Sequence, residues 1–384
     1  MACCLPKSIA KGTEKGDTVM QKTSAKPVVV DFFLGALAPS GFSGWFAQAA
    51  AEPGTKPWLI KAGPGCGKST FLRRLSEQAA ETAGGGRIER IHCSSDPDSL
   101  DGVRLPSGDL FLDATAPHTL DCKYPDAAER IVSFYHTLDH GYLAVHSEEI
   151  LRAGAENMSL LQRAAADFAF ACGLLQRRRQ LAAACLNADK LDRFTARMAT
   201  RLIPARRGVK RGIQHIRLLS APTPAGITVY SDTVFALAKR IYAIHDPYGA
   251  VSARMLSLLA EHAARNGYEA CVCRCASDQS KIDQLILPEL GLAVVTSNPW
   301  HPMNFAGQKT IHAARFLDGS ALASHRGVLR FQKRIAGQLL ARTFQLQAEA
   351  KRLHDKLESY YVHATDFAGV DALRETVASE LFDC

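Results

Sequence analysis

Repetition constrains this chain more than anything else in it. Asp96, Asp101 and Pro106 recur as Asp278, Asp283 and Pro288, each 182 residues later. The run Ala38-Pro39-Ser40-Gly41-Phe42 returns as Thr223-Pro224-Ala225-Gly226-Ile227. Short apolar stretches at 88–93 and 110–113 are matched by 271–275 and 292–295, and the second of each pair leads to Pro117-His118 or to Pro299-Trp300-His301. A repeat of this length means two copies of one supersecondary plan, so a fold that serves one half serves the other. The length of 384 residues also exceeds what one hydrophobic core usually serves. Strand-like runs alternating with helical ones predict an α/β protein, with parallel sheets flanked by helices in each half. Each half then becomes helical. Residues 127–203 carry Ala- and Leu-rich periodic segments, notably 160–186. Downstream, Val328, Phe331, Ile335, Leu339, Leu346, Ala350, Leu353, Leu357 and Tyr360 fall at three- and four-residue steps of one long amphipathic helix.

The first half contains Trp58-Leu59-Ile60-Lys61-Ala62-Gly63-Pro64-Gly65-Cys66-Gly67-Lys68-Ser69-Thr70. It reads as an apolar strand, a loop with three glycines and a helix beginning at about Lys68, the order of a phosphate-binding P-loop. Consecutive backbone N–H groups can wrap a phosphate chain only where no Cβ blocks the approach, which is the use of Gly63, Gly65 and Gly67 on either side of Pro64 and Cys66. The helix N-terminus adds free donors and the positive end of its dipole. Lys68 would reach the β- and γ-phosphates, Ser69 would ligate Mg²⁺, and Thr70 is placed for the α-phosphate. Ala62 stands at the first glycine of the strict pattern, at the strand exit, where a small side chain suffices.

Asp113 closes the next apolar strand but one, where a Walker B carboxylate would hold Mg²⁺. Asp96 is the competing metal-side carboxylate, while Asp98 and Asp101 read as caps of a following helix. His118 could orient a water or the γ-phosphate. Residue 114 is Ala, so the glutamate that many ATPases use as general base is absent. No Asn-Lys-x-Asp run is present, which favours ATP over GTP. Arg73, Arg74, Arg206 and Arg207 are candidates to neutralise transition-state charge. Cys66, beside a helix N-terminus, is expected to have a lowered thiol pKa. Cys271, Cys273 and Cys275 alternate along a strand and so share a face, as buried thiols more than as a zinc site.

Aligned at an offset of 183, residues 244–253 overlay the first loop, setting Val251 on Lys68, Ala250 on Gly67 and Asp246 on Gly63. The second loop is therefore expected to keep the shape and lose the chemistry. The net charge of +8 is partly local. Residues 1–26 read as a flexible basic tail, and the cluster from Arg201 to Arg217 as a linker, with a nucleic-acid patch as its alternative. Eleven cysteines without a framework argue for reduced thiols. With no transmembrane-length apolar run and no signal-peptide pattern, the expected location is cytoplasmic, with no membrane partner.

The stretches 61–70, 92–102, 113–118 and 350–358 together resemble a bacterial family of tandem P-loop proteins described as ATPases or nucleotide-kinase-like. That resemblance implies nucleotide binding and little about substrate. The family's second P-loop is intact, and this chain departs from it at residues 246–253. The organisation expected is a P-loop NTPase domain with a helical insert over 27–203, a basic linker over 204–216, and a degenerate repeat with C-terminal helices over 217–384. The function expected is binding of ATP and Mg²⁺ with slow hydrolysis, used as a switch or to act on a partner. The rivals are a small-molecule or nucleotide kinase, with the helical insert after His118 as lid, and a non-catalytic nucleotide sensor. The acceptor or protein partner is left unnamed by the residues.

Overall fold

The computed structural model describes residues 26–382. The basic tail expected over 1–26 therefore lies, apart from its last residue, outside the described residues.

The first half runs β1 (Val28–Phe32), β2 (Gly35–Ala38), β3 (Gly41–Gly44), α1 (Phe46–Ala50), β4 (Lys56–Lys61), α2 (Lys68–Thr82), β5 (Arg87–His92), β6 (Leu100–Arg104), β7 (Asp109–Asp113), β8 (Arg130–Ser133), α3 (His140–Val145), α4 (Ser147–Ala184) and α5 (Ala188–Leu202). The second half repeats this as β9 (Gln214–Arg217), β10 (Ser220–Thr223), β11 (Gly226–Val229), α6 (Ser231–Leu237), β12 (Arg240–His245), α7 (Ala250–Arg265), β13 (Ala270–Cys275), β14 (Asp278–Leu287), β15 (Leu292–Ser297), β16 (Lys309–His312), α8 (Gly319–Ser324), α9 (Arg326–Ala364) and α10 (Phe367–Phe382). The six-stranded sheets have the same order, β1-β5-β6-β7-β4-β8 and β9-β13-β14-β15-β12-β16. The duplication is thus one of architecture as well as of sequence.

The sheets are mixed, not purely parallel. β6 pairs antiparallel with both β5 and β7, and β14 does the same with β13 and β15. The Asp- and Ser-rich run after β5, expected to cap a helix, instead makes a turn in which the Ser99 N–H donates to the Asp96 carbonyl, and the chain returns as β6. Competing side-chain hydrogen bonds suit turns as well as caps, so the residue types alone did not decide. β4 and β12 run between parallel neighbours and are buried through their middles, which is why β4 reads as an apolar strand.

The halves are intertwined through their helices. α4 and α9, each long enough to span about 57 Å at 1.5 Å per residue, pack side by side. Ala164, Phe168 and Ala171 lie against Leu340 and Leu346, and the small alanines permit close approach. Each helix carries its successor to the opposite half. Leu191, Met198 and Leu202 of α5 join the core of Met255 and Leu259 on α7, whereas Val370, Val377 and Ala378 of α10 join Phe71 and Leu75 on α2. Equivalent residues after β1 and β9 also meet across the local twofold, Phe33 and Leu218 exchanging two backbone hydrogen bonds of 2.9 Å.

Candidate functional site

The loop between β4 and α2 takes its shape from two glycines in the left-handed region, Gly65 at φ 69° and Gly67 at φ 84°. Gly67 is the N-cap of α2, and no side chain caps that helix. The backbone donors of its first turn are therefore left for something other than the helix itself. The Lys68 amine folds back along the loop, donating to the Gly63 carbonyl at 2.7 Å and lying 3.4 Å from the Asp113 carboxylate. Asp113 is steadied from its other oxygen by the Thr115 N–H (2.9 Å) and hydroxyl (2.5 Å). The Ser69 hydroxyl accepts the Leu100 N–H at 3.0 Å, which ties the loop to the start of β6. Lys68 and Asp113 thus meet, while the Ser69 hydroxyl is tied to β6, Thr70 is exposed and Pro64 is partly exposed.

Two expected residues are placed differently. Asp96 accepts from the Ser99 hydroxyl and lies 3.5 Å from Lys351 on α9, so its partners are neither Lys68 nor Ser69. His118 is buried between the rings of Phe42 and Phe46, with Nε2 3.2 Å from Asp101. Its Nδ1 has no partner in the described structure. Asp101, read from sequence as a helix cap, is a buried β6 residue whose carboxyl is pushed up by burial, against the opposing pull of His118. Asp283 and His301 form the same pair at 3.5 Å in the second half. Retention of both members in both repeats was the available signal for this pair.

Cys66 corrects a sequence expectation. Its side chain is fully buried, the thiol pointing back toward the Pro64 carbonyl at 3.6 Å, and burial raises its pKa where a helix N-terminus was expected to lower it. Three of the four arginine candidates are also engaged: Arg73 donates to the Asp98 carbonyl at 2.6 Å, Arg74 pairs with Asp371 of α10, and Arg206 pairs with Glu289 and stacks on Tyr268, while Arg207 is exposed. In the same basic cluster Arg211 pairs with Glu261, and Arg217 is buried between Glu52 and Glu89, so three of its cations are already neutralised. Cys271 and Cys273 are buried on one face of β13, and burial raises both thiols. No group of three or more metal-ligating side chains occurs among the described residues.

The helix exchange places the end of α9 and the start of α10 directly on the glycine loop. A Cβ built on Gly63 would lie 2.5 Å from the Tyr361 ring, and one on Gly65 would lie 2.8 Å from the Glu358 carbonyl. Glu358 is the member of this cover that carries charge. Its carboxyl is held below the usual range by a hydrogen bond from His354, against burial, with the Lys351 charge and the Gly65 N–H adding to the effect. One residue of the loop, Gly65, therefore already lies against Glu358.

The second loop shows the same principle by another route. Its N-cap is Gly249 at φ 75°, the counterpart of Gly67, which sets Ala250, not Val251, opposite Lys68. The loop is also two residues shorter, four against six between strand and helix, which the retained proline hid from the alignment. Asp246 does not sit beside an open phosphate cradle; it fills the cradle. Its carboxylate accepts the N–H groups of Tyr248 (3.2 Å), Gly249 (2.9 Å) and Ser252 (2.8 Å). Lys281 reaches this region from β14, its amine 3.4 Å from where a Gly249 Cβ would stand, and it pairs with Asp283. Asp246→Ala is expected to destabilise the protein by about 3 kcal/mol, since a buried donor left unsatisfied costs about 1–3 kcal/mol. Urea denaturation checks this, and a loss below about 1 kcal/mol would mean that the three N–H groups find other partners.

No family model, no curated protein and no solved structure matches this chain.

Proposed function

We propose that the first half binds Mg·ATP through residues 62–70 and that the nucleotide works as a switch on the helical cover, with slow hydrolysis. The carrying observation is the uncapped α2 N-terminus, with its left-handed glycines, with Lys68 and Asp113 3.4 Å apart, and with Glu358 of α9 packed against Gly65 of the loop. A phosphate chain and a carboxylate compete for the same kind of donor, so nucleotide would displace Glu358, and with it the end of α9. Ser69 and Asp113 offer the hard oxygen donors that suit Mg²⁺, which would supply charge neutralisation along the phosphates. Ala114 leaves no carboxylate beside Asp113 to activate water, consistent with slow turnover.

The kinase reading required the insert after His118 to close over the first loop as a lid. α5, its last helix, packs on the second half, and the cover of the first loop comes from α9 and α10. The geometry therefore favours a switch.

The test is calorimetric titration of Mg·ATP into the wild-type protein and into Glu358→Gln. One site per chain is expected, with Glu358→Gln binding about tenfold more tightly, the equivalent of about 1.4 kcal/mol for removing a charged competitor. Absence of binding in both proteins sinks the nucleotide reading, while equal affinity sinks the competition. Product analysis then separates phosphate release from transfer, because ADP without free phosphate means a transferase.

A further inference from the structure

The helix exchange lays α4 over the second loop as it lays α9 over the first, and between α4 and that loop is a cavity of about 110 Å³. The bridges Leu138 to Thr365 and Leu186 to Leu317 fix the local offset at 179 residues, so that Arg179 occupies the place of Glu358. The charges of cover and loop are thus reversed: the first loop faces a carboxylate from the cover, and the second holds its own carboxylate, Asp246, beneath arginines.

Most cavity charges are balanced. Arg179 pairs with Asp278 at 2.5 Å, Lys281 pairs with Asp283, and Asp246 is turned into the loop amides. Arg178 is different. It is only 6 % exposed, its guanidinium lies over the Tyr248 ring at 5.4 Å, its Nε has no acceptor, and no carboxylate pairs with it among the described residues. A buried cation without a partner is costly, and a ligand anion would offset that cost. The walls beside it are apolar, formed by Phe168, Leu175, Ile227, Trp300 and Leu340.

A second cleft meets the first at Arg178, Pro247 and Tyr248 and runs along the beginning of α9. It is lined by Arg326, Arg330 and Lys333 and contains no acidic residue. Four cations and no carboxylate line the approach, and an apolar chamber lies beyond it. The geometry points to an organic phosphate monoester as the ligand, its dianion held by Arg178 and the α9 cations and its apolar body in the chamber. Guanidinium forks match phosphate oxygens in pairs, and a dianion uses four positive charges better than a single carboxylate does. The cavity is separate from the first loop, so the site does not depend on the nucleotide reading.

Calorimetry with phenyl phosphate, in the Lys68→Ala background to silence the first loop, tests this. Saturable binding is expected, at least tenfold tighter than for benzoate or inorganic phosphate, and weakened at least tenfold by Arg178→Met. The exposed Arg330→Met should weaken binding by a smaller factor, and it keeps the test decisive if Arg178→Met does not fold. Phenyl phosphate binding no better than inorganic phosphate would overturn the role of the chamber. No saturable binding of phenyl phosphate, or affinity unchanged in both arginine variants, would overturn the site.

Discussion

Lys68→Ala is expected to lower Mg·ATP affinity about a thousandfold while leaving the protein folded. The amine lies at the loop, bonded to the Gly63 carbonyl and 3.4 Å from Asp113, and its side chain is only 15 % exposed. A unit charge about 4 Å from a phosphate oxygen, at an effective dielectric of about 20, contributes on the order of 4 kcal/mol, which corresponds to that factor. Alanine is also a good helix former at the start of α2, so removal should cost little beyond the partial loss of a partner for Asp113. Calorimetry with a matched thermal melt checks both parts. Comparable affinity in a folded variant would falsify the assignment of this loop to nucleotide, and it would do so independently of Glu358.

The other large effect concerns the joint between the halves. Arg217, 1 % exposed on β9, donates to Glu52 at 2.7 Å and to Glu89 of β5 at 2.9 Å. Glu89 is wholly buried, with Arg87 at 2.8 Å and Arg104 at 3.8 Å as its remaining cations. Arg217→Met would leave two carboxylates undercompensated, and breaking one side of a buried ionic group costs about 3–5 kcal/mol. That is a large share of a typical stability of about 5–15 kcal/mol. A urea transition shifted by less than about 1 kcal/mol would show that Arg87 and Arg104 suffice.

The same cluster sets a pH dependence. Burial raises the Glu52 carboxyl, but hydrogen bonds from His215 and Arg217 and the charges of Arg217 and Arg104 outweigh it and lower it from 4.5 to about 2. Its contribution to stability is therefore complete above pH 4.5 and is lost as the pH falls toward 2. Arg217→Met should reduce that acid limb, since one of the three groups that hold Glu52 ionised is gone while Arg104 and His215 remain.

The cluster was hard to read in advance. Arg217 sits at the end of a run of arginines and lysines with prolines and glycines, which describes a solvated linker as well as it describes an approach to a buried strand. Glu52 and Glu89 lie 165 and 128 residues away from it, and nothing local distinguishes them from surface carboxylates. The duplicated strands were legible because β4, β7 and β15 lie between sheet neighbours and carry unbroken apolar runs. β6 and β14 were missed because the Asp- and Ser-rich turns before them also fit a helix start. In the second loop the retained Pro247 drew the alignment one residue out of step, and only the left-handed Gly249 restores it.

By itself the sequence determined what is local: the glycine loop with Lys68 and Ser69 at a helix start, the doubling of the plan, and the long helix at 326–364, though not the buried face of its first turns, where Val328 and Phe331 are exposed and Leu329, Ala336 and Leu340 are buried. These follow from backbone sterics and periodicity, which act over a few residues. Tertiary structure alone decided that α4 and α9 cross between the halves, so that Glu358 faces the loop of the first half and Arg178 lies over that of the second. The physical reason is that apolar burial is non-directional. An amphipathic stripe states that a face will be covered without stating by what, and here the intertwined packing of two equivalent halves chose the partner.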